Sequence, residues 1–391
     1  MTTNATQRRH HGIRAAHTAM LLMGLLAGGV STAEPAACGT PGVWWSPATP
    51  GQPLRTDEVI ALIHEADVVL LGERHDLEEH HRWQLHTLGA LHGQPGLQAV
   101  GFEMFNRSHQ PVLDRWTGGE LGERELLRET QWHANWGFPA ALYTPLFHFT
   151  RLHRLPTIAL NVERDLVRRA REEGWENIPE EDRYGIGRPA YAVEGYREQL
   201  GRVYAGHPET EDGLDGFVRA QIFWDRAMAE GLADAVERFG TPVAGIVGRG
   251  HAMYGYGVPY QLHDLGIENV VVLLPWDTDQ ACDADETPPP ADFVFGLAPY
   301  EELPEDPPLL GIFLEQQDEG VTISDIVEDS VAEAAGLEIG DVVVTAAGHP
   351  IRSIPELQAT VRRQPWGTWL PLEVRRDGEP VEIVARFPAR H

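Results

Sequence analysis

Short apolar runs that end in glycine or a polar side chain recur along the first three quarters of the chain. A continuous apolar run bounded by glycine is typical of a buried parallel strand. Ligands bind beyond the carboxyl ends of such strands, so the sequence predicts that the polar residues at these ends share one site. The runs and their polar residues are Val68–Leu71 with Glu73 and His75, Leu97–Phe102 with Glu103, Thr157–Leu160 with Asn161, and Ala244–Val247 with His251.

Helical patterns alternate with these runs and with further strands at 270–274 and 293–295. The spacing predicts helices over 57–65, 77–88, 162–173 and 217–239, and mostly helix with many aromatic residues over 106–156. Asp76 followed by Glu79 predicts an N-cap for the second helix. The alternation predicts an α/β fold, a mostly parallel sheet flanked by helices with long helical insertions.

Proline and acidic residues become dense over 276–308, which predicts a domain boundary near Pro304. Short strands follow, and Ala335–Asp341 carries the string Ala-Gly-Leu-x-x-Gly-Asp. Residues 309–388 resemble a bacterial PDZ domain. The predicted divisions are a signal peptide at 1–33, an extended lead-in at 34–54, the α/β domain at 55–300, a linker at 301–308 and the β-rich PDZ domain at 309–388.

The PDZ resemblance implies a peptide site. PDZ domains bind an extended peptide by adding it as a strand to a sheet edge. Leu310, Gly311 and Ile312 would offer backbone N–H groups to the peptide carboxylate. The alternative is a packing or dimerisation module that binds no peptide, and the sequence leaves both open.

The formal net charge is −28, and all 31 basic residues are arginine. Such acidity argues against nucleic acid and anionic membrane surfaces as partners. Without lysine there is no P-loop and no lysine Schiff-base chemistry, and the chain has no Gly-x-Ser-x-Gly nucleophile elbow.

The N-terminus predicts export. Arg8, Arg9 and Arg14 precede a short apolar run over 19–30 and a small-residue cleavage site at 31–33. The exported protein is expected in the periplasm or at a membrane. Cys38 follows small residues and is a candidate for lipidation, and in an oxidising compartment it could instead pair with Cys282. Both outcomes stay open.

Two kinds of chemistry suit the predicted strand ends. Glu73, His75, Glu103 and His251 are of the types that ligate zinc, manganese or iron, although the chain has no His-Glu-x-x-His helix. A haem pocket instead needs apolar walls and an axial ligand, and His251, Tyr254 and Tyr256 follow one strand closely. On the next helix His80 is a weaker ligand candidate, and His81 is expected in the core.

Residues 55–300 resemble the ChaN family of haem-binding, iron-regulated proteins, within a superfamily that includes Tiki and TraB domains and erythromycin esterase. The matching pieces occur in the family's order. They are Leu71–Asp76 with His80 and Gln84, Phe102–Phe105, Trp136–Phe138 with Tyr143–Leu146, Gln221–Met228, and Gly248–His251 with Gly257–Pro259.

The resemblance implies haem binding in iron acquisition at the cell envelope. The cofactor-binding residues expected are His251, Tyr254, Tyr256, His75, Glu73 and His80. Expected partners are haem, an outer-membrane haem receptor, a protein C-terminus at the PDZ domain and a second copy of the chain. The wider superfamily implies a metal-dependent hydrolase as the alternative, with Glu73, His75, Glu103 and His251 as catalytic residues. A scaffold without catalysis is a third hypothesis.

Overall fold

The protein is described by a computed structural model, which covers residues 40–46, 49, 52–94, 96–206, 212–278, 289–299, 308–317 and 320–389. The predicted signal peptide, Cys38 and Cys282 lie outside the described residues. In the part that is described, no helix is long and apolar enough to cross a membrane.

The first domain is built on a seven-stranded sheet with the strand order β1-β7-β6-β2-β5-β3-β4. All neighbouring strands are parallel except β1 and β7, which are antiparallel. The strands are β1 Trp44–Trp45, β2 Val68–Glu73, β3 Ala99–Asn106, β4 Thr157–Asn161, β5 Val243–Gly248, β6 Val270–Asp277 and β7 Phe293–Leu297.

Helices cover both faces of this sheet. They are α1 Thr56–Leu62, α2 Glu78–Gly93, α3 Gln110–Gly118, α4 Glu123–Glu129, α5 Trp132–Asn135, α6 Thr144–His153, α7 Arg164–Glu173, α8 Glu194–Tyr204, α9 Gly213–Phe239 and α10 Val258–Asp264. Single 3-10 turns lie at Arg107–His109, Ala140–Leu142, Trp175–Asn177, Glu180–Asp182, Arg249–His251 and Met253–Gly255.

Alternation along each strand divides the apolar side chains between two cores. Val69 and Leu71 pack on one face with Trp83 and the aromatic residues of the helical insertion. Val68 and Leu70 pack on the other face against α9 and α10. Successive side chains of a strand point to opposite faces, and both faces of a parallel sheet are covered. The predicted α/β class is therefore confirmed.

The second domain is a small β-rich unit with two short helices and its own core. Its sheet has the order β13-β12-β10-β9-β8, with β11 paired to β10. The elements are β8 Ile312–Gln317, β9 Gly320–Ile326, α11 Val331–Ala335, β10 Val342–Ala346, β11 His349–Pro350, α12 Ile354–Arg362, β12 Trp369–Arg376 and β13 Glu379–Arg386. Helix α12 also contacts α5 of the first domain.

The predicted N-cap of the second helix was wrong. The helix begins at Glu78, and Leu77 stands at the N-cap without a side-chain cap hydrogen bond. Asp76 instead accepts a hydrogen bond from the Arg74 guanidinium at 3.3 Å. The Asp76 carboxylate therefore forms a local ion pair with Arg74 and does not cap the helix.

Leu71 tests how far the central strand carries the stability of the first domain. Its side chain is fully buried between helices and sheet. Leu71→Ala should lower the free energy of unfolding by about 2–5 kcal/mol, because transfer free energy is lost and a cavity remains. Chemical denaturation followed by tryptophan fluorescence measures this change.

Leu62→Ala is the matched control, because this leucine is 62% exposed. It should change the free energy of unfolding by about 0.5 kcal/mol or less. Equal losses in the two variants would contradict the assignment of Leu71 to the core.

Candidate functional site

The register of three parallel strands brings the polar strand ends to one level. Glu73 of β2 pairs with Gly248 of β5, and Phe102 of β3 pairs with Ile246 of the same strand. Glu103, the residue after Phe102, therefore lies beside the carboxyl end of β5. The structure brings together the four residues that the sequence predicted at these ends, Glu73, His75, Glu103 and His251.

Glu73 and His75 form the first carboxylate–imidazole pair. Glu73 Oε1 lies 2.5 Å from His75 Nδ1, and the Tyr143 hydroxyl donates to the same oxygen at 3.4 Å. Burial raises the pKa of Glu73 to about 7, against the opposing effect of His75. Burial lowers the pKa of His75, but the hydrogen bond to Glu73 and the charge of Glu103 outweigh it and leave the pKa above its usual value. The pair is therefore suited to share one proton near neutral pH.

The other oxygen of Glu73 is buried and has no hydrogen-bond partner among the described residues. A buried polar atom without a partner costs free energy. Such an atom beside the ends of parallel strands is typical of a place where a ligand or an ordered water is held.

Two aromatic rings form a wall beside His75. The ring centroids of Trp136 and Phe138 lie 4.8 and 5.1 Å from that of His75. These two residues are only partly buried, whereas Trp132, Tyr143 and Phe147 behind them belong to the core. The aromatic residues of the helical insertion thus form an inner layer in the core and an outer layer that borders His75.

A second carboxylate–imidazole pair joins α9 to the loop after β5. Asp225 is fully buried, and its Oδ1 lies 2.6 Å from His251 Nδ1. The Tyr196 hydroxyl donates to Asp225 Oδ2 at 2.7 Å. His251 Nε2 lies 3.7 Å from Glu103 Oε1. Burial lowers the pKa of His251, but the charges of Glu103 and Asp225 outweigh it and raise the pKa to about 9. His251 is therefore an imidazolium between two carboxylates at neutral pH.

Two glycines make this close packing possible. A Cβ on Gly248 would lie 2.8 Å from His75 Cε1, and a Cβ on Gly257 would lie 2.5 Å from the His251 carbonyl oxygen. Gly257 also has a φ of +58°, which favours glycine. The backbone N–H of Gly248 donates to Glu103 Oε2 at 2.6 Å. The glycines quoted in the sequence motifs are thus places where backbone and site side chains touch.

His80 and His81 of α2 lie in the protein interior. His80 is 1% exposed, and its Nδ1 accepts the backbone N–H of Arg74 at 3.0 Å. Burial lowers the pKa of His80 to about 3, so it stays neutral. His81 lies close to the carbonyl of His75 and to Gln84, in the core as expected. His80 therefore fixes the backbone of Arg74, next to His75.

Two guanidinium groups border the strand ends. Arg74 follows β2 and Arg249 follows β5. Burial, and next the positive charge of Arg74, lower the pKa of Arg249. The side chain of Arg249 has no ion pair with any carboxylate that the structure describes. Arg74 pairs with Asp76 at 3.3 Å, so Arg249 is the guanidinium of the two that is left without an ion pair in the described ranges.

Tyr254 and Tyr256 connect to the same site through aromatic contacts. Their ring centroids lie 5.9 Å apart, and Tyr256 lies 5.7 Å from Tyr196, which binds Asp225. Tyr254 has a φ of +63°, a left-handed conformation that is uncommon for a residue with a side chain. The 3-10 turn that holds it begins two residues after His251.

The metal alternative depends on whether these side chains form a ligand cluster. Over the described ranges, no group of three or more His, Cys, Asp or Glu side chains is arranged to hold a metal ion. The hydrolase hypothesis on Glu73, His75, Glu103 and His251 stays a prediction.

The comparisons with known proteins decide the family. The model of the family described as haem-binding uptake, Tiki superfamily, ChaN matches residues 59–262, about half of the chain. The chain belongs to the ChaN family. The PDZ-domain model matches residues 308–385, so the ChaN-like domain is followed by a PDZ domain, as predicted.

A solved structure supports the same fold. The structure titled "Cofacial heme binding to ChaN of Campylobacter jejuni" is 21% identical, with a TM-score of 0.50, and the match covers 64% of this chain and 95% of that one. The periplasmic serine endoprotease DegP of Escherichia coli K12 is 38% identical over 64 residues, 16% of this chain. DegP of strain O157:H7 matches to the same extent, and the chain spans 14% of the length of either protein.

Within this ChaN domain, sequence reasoning missed Asp225, Tyr196 and Tyr143 as site residues. Asp225 lies in the middle of the long helix α9, with no strand end or glycine beside it. The available signal was an acid within an otherwise apolar helical face, next to Trp224 and Met228. Arg249 was visible within the motif Gly248–His251 but had been given no role.

The charge on His251 should make the free energy of unfolding depend on pH. Its pKa in the folded protein, about 9, lies above the ordinary value of 6.5. The stabilisation is therefore complete below pH 6.5 and is lost as the pH rises through 9. The free energy of unfolding should fall by up to about 3 kcal/mol over this range. Urea denaturation at several pH values measures it.

His251→Gln should flatten this fall, while the exposed His64→Gln should leave it unchanged. Glu73 also makes stability depend on pH, in a lower range. Its pKa in the folded protein, about 7, lies above the ordinary 4.5, so the stabilisation by its protonated form is lost as the pH rises from 4.5 to 7. An unchanged slope above pH 7 in His251→Gln would overturn the assignment of the charge to His251.

Proposed function

We propose that this chain binds haem at the mouth formed by the ends of β2, β3 and β5. The carrying observation is His75, a partly exposed imidazole held through Nδ1 by Glu73 and flanked by two aromatic rings. Metal-ligating histidines commonly donate their other ring N–H to a carboxylate, which fixes the tautomer. The resulting free Nε2 would face a ligand. Membership of the ChaN family and the Campylobacter jejuni neighbour, whose title states haem binding, support the proposal.

The residues at the mouth fit the chemistry of haem. Bound haem would supply an iron that takes imidazole or phenolate ligands and a flat apolar macrocycle. His75 Nε2 and the Tyr254 hydroxyl are the candidate iron ligands. Tyr256 is a weaker candidate, because its hydroxyl packs against Gly195 of α8. His251 is a weaker candidate than its residue type suggests, because both ring nitrogens face carboxylates and 12% of its side chain is exposed. We assign His251 the role of neutralising Glu103 and Asp225.

The haem propionates would lie against Arg74 and Arg249. Arginine binds carboxylates through a planar fork of N–H donors. Arg249 is half-buried and borders Arg74, so an anion there would offset the mutual repulsion of the two guanidinium groups. Trp136 and Phe138 would pack on the macrocycle with their exposed parts.

We further propose that the protein is exported and handles haem in iron acquisition at the cell envelope. The predicted signal peptide at 1–33 supports export, and the family's description as an uptake family supports the role. An outer-membrane haem receptor is the expected partner. Lipidation at Cys38 and a disulfide to Cys282 remain alternatives for the anchoring of the mature chain.

Haem titration of residues 34–391, followed by the Soret absorbance, tests the proposal. Saturable binding is expected, with an affinity at least about 10-fold lower in one of His75→Ala, Tyr254→Phe and Tyr256→Phe, since loss of the axial ligand removes a strong interaction. Resonance Raman spectra of the unmodified protein distinguish imidazole from phenolate ligation. Arg249→Gln should weaken binding without changing the ligand-sensitive bands.

Matched controls are His64→Ala and Arg82→Gln, since both residues are exposed and pair only with neighbours in the sequence. Sedimentation with and without haem tests whether two copies associate around a haem pair, as the cofacial binding of the neighbour suggests. Unchanged haem spectra in every ligand variant, including His251→Ala and the double variant with Tyr254→Ala, would reject this site.

We also propose that the PDZ domain binds a protein C-terminus. In the described sheet β8 is an edge strand, paired only with β9, and α12 packs beside it. The carbonyls of Leu310 and Gly311 accept the N–H groups of Ala332 and Val327 at 2.8 Å each. These bonds fix the loop, and among the described residues the N–H groups of Leu310 and Gly311 have no backbone acceptor, which supports carboxylate capture there.

A peptide with an apolar C-terminal residue tests this groove. The free acid should bind at least about 10-fold more tightly than its C-terminal amide, because the loop donors need a charged acceptor. Gly311→Ala should abolish binding, since a Cβ there would lie 2.4 Å from Ser330 Cβ and φ is +78°. Fluorescence anisotropy measures affinity, and circular dichroism checks the fold. Equal affinity for acid and amide, or self-association without peptide binding, would favour a packing module.

A further inference from the structure

A cavity of about 420 Å³ lies between α4 of the first domain and the β11–α12 region of the PDZ domain. Its volume falls within the usual range for small-molecule sites, about 300–1,000 Å³. Leu127 and Ile351, both buried, form an apolar floor.

Four arginines surround this floor, two from each domain. Arg124 and Arg128 come from α4, and Arg352 and Arg363 come from the PDZ domain. This concentration of positive charge stands out in a chain with a net charge of −28. Both domains thus contribute positively charged side chains to the lining of one cavity.

The arginines have few internal partners. Among the described residues, the side chains of Arg124, Arg352 and Arg363 make no ion pair or hydrogen bond, and Arg128 reaches only Glu129, at 3.5 Å. Guanidinium groups gain most from a bidentate acceptor such as a carboxylate or phosphate.

The two glutamates of the cavity already have local roles. Glu123 lies 3.2 Å from His148, and Glu356 accepts the backbone N–H of Arg352 at 2.7 Å at the start of α12. Both carboxylates keep their charge in these contacts, so four arginines and two glutamates leave the cavity lining with a net positive charge. Burial, and next the charge of Arg363, lower the pKa of His133 at the rim, so this imidazole adds a neutral hydrogen-bonding group.

We propose that this interdomain cavity binds a small organic polyanion that carries at least two carboxylate or phosphate groups on a compact apolar body. The anion would bridge Arg124 and Arg128 to Arg352 and Arg363 and so stabilise the docking of the two domains. The lining residues of this cavity include none of those proposed to bind haem or the peptide carboxylate.

Pyrophosphate and citrate are the probes, because they separate phosphate from carboxylate recognition at similar size. Calorimetric titration of the full chain, at ionic strength held constant with sodium chloride, should give saturable binding of at least one of them. Arg124→Gln and Arg363→Gln should each weaken it at least about 10-fold, since each removes a charge-assisted pair. The two residues lie in different domains, so loss in both variants would place the anion between them.

Arg82→Gln is the matched control, because this exposed arginine is paired with Glu78 and Glu79 within α2. Its affinity for the probe should equal that of the unmodified protein. Haem titration of Arg124→Gln and Arg363→Gln should be unchanged and reports that they fold. Failure of both probes to bind beyond the sodium chloride blank, or equal binding in all variants, would overturn the proposal.

Discussion

The ion pair between Asp225 and His251 is the interaction on which the strand-end site depends. Asp225 is fully buried in the middle of α9, and an unpaired carboxylate there would be costly. The pair therefore requires the loop after β5 to return against α9. That return needs Gly257, where a side chain would collide with the loop's own backbone. Tyr196 of α8 occupies the remaining oxygen of Asp225, so three helical or loop segments are fixed by one carboxylate.

The two carboxylate–imidazole pairs differ in what they do with their protons. His251 lies between Asp225 and Glu103, and two negative charges hold it in the charged form. His75 has one direct carboxylate, Glu73, whose own pKa is raised by burial to about 7. The Asp225–His251 pair thus keeps its charges and supports the structure, whereas the Glu73–His75 pair is suited to gain or lose a proton when a ligand binds. Only the backbone of Gly248 lies between the two pairs, and a side chain there would collide with His75.

Much of the fold was accessible from the sequence, because periodicity is a local property. Val68–Leu71 and Ala244–Val247 could be identified as strands without knowing their neighbours, and the parallel class then placed their ends together. The partners of each side chain were less accessible. Asp225 reaches His251 across the packing of α9 on the sheet, and nothing in the spacing of 26 residues encodes that contact. His80 and His81 lie side by side in the sequence, yet only packing shows that His80 supports the Arg74 backbone.

The local arrangement of arginines changes what the overall acidity implies. A net charge of −28 disfavours extended polyanions such as nucleic acids, which meet the field of the whole surface. A compact anion in a cleft meets mainly the charges within a screening length, about 8 Å at physiological ionic strength. Arg249 is the candidate contact for such an anion, because it has no ion pair among the described residues, whereas Arg74 pairs with Asp76 and the carboxylates of Asp225 and Glu103 lie beside His251. The same chain can therefore repel polyanions at long range and hold a dicarboxylate such as haem at short range. Under the proposed function, the internal pairing of the carboxylates would favour the binding of an anion as well as the folding of the site.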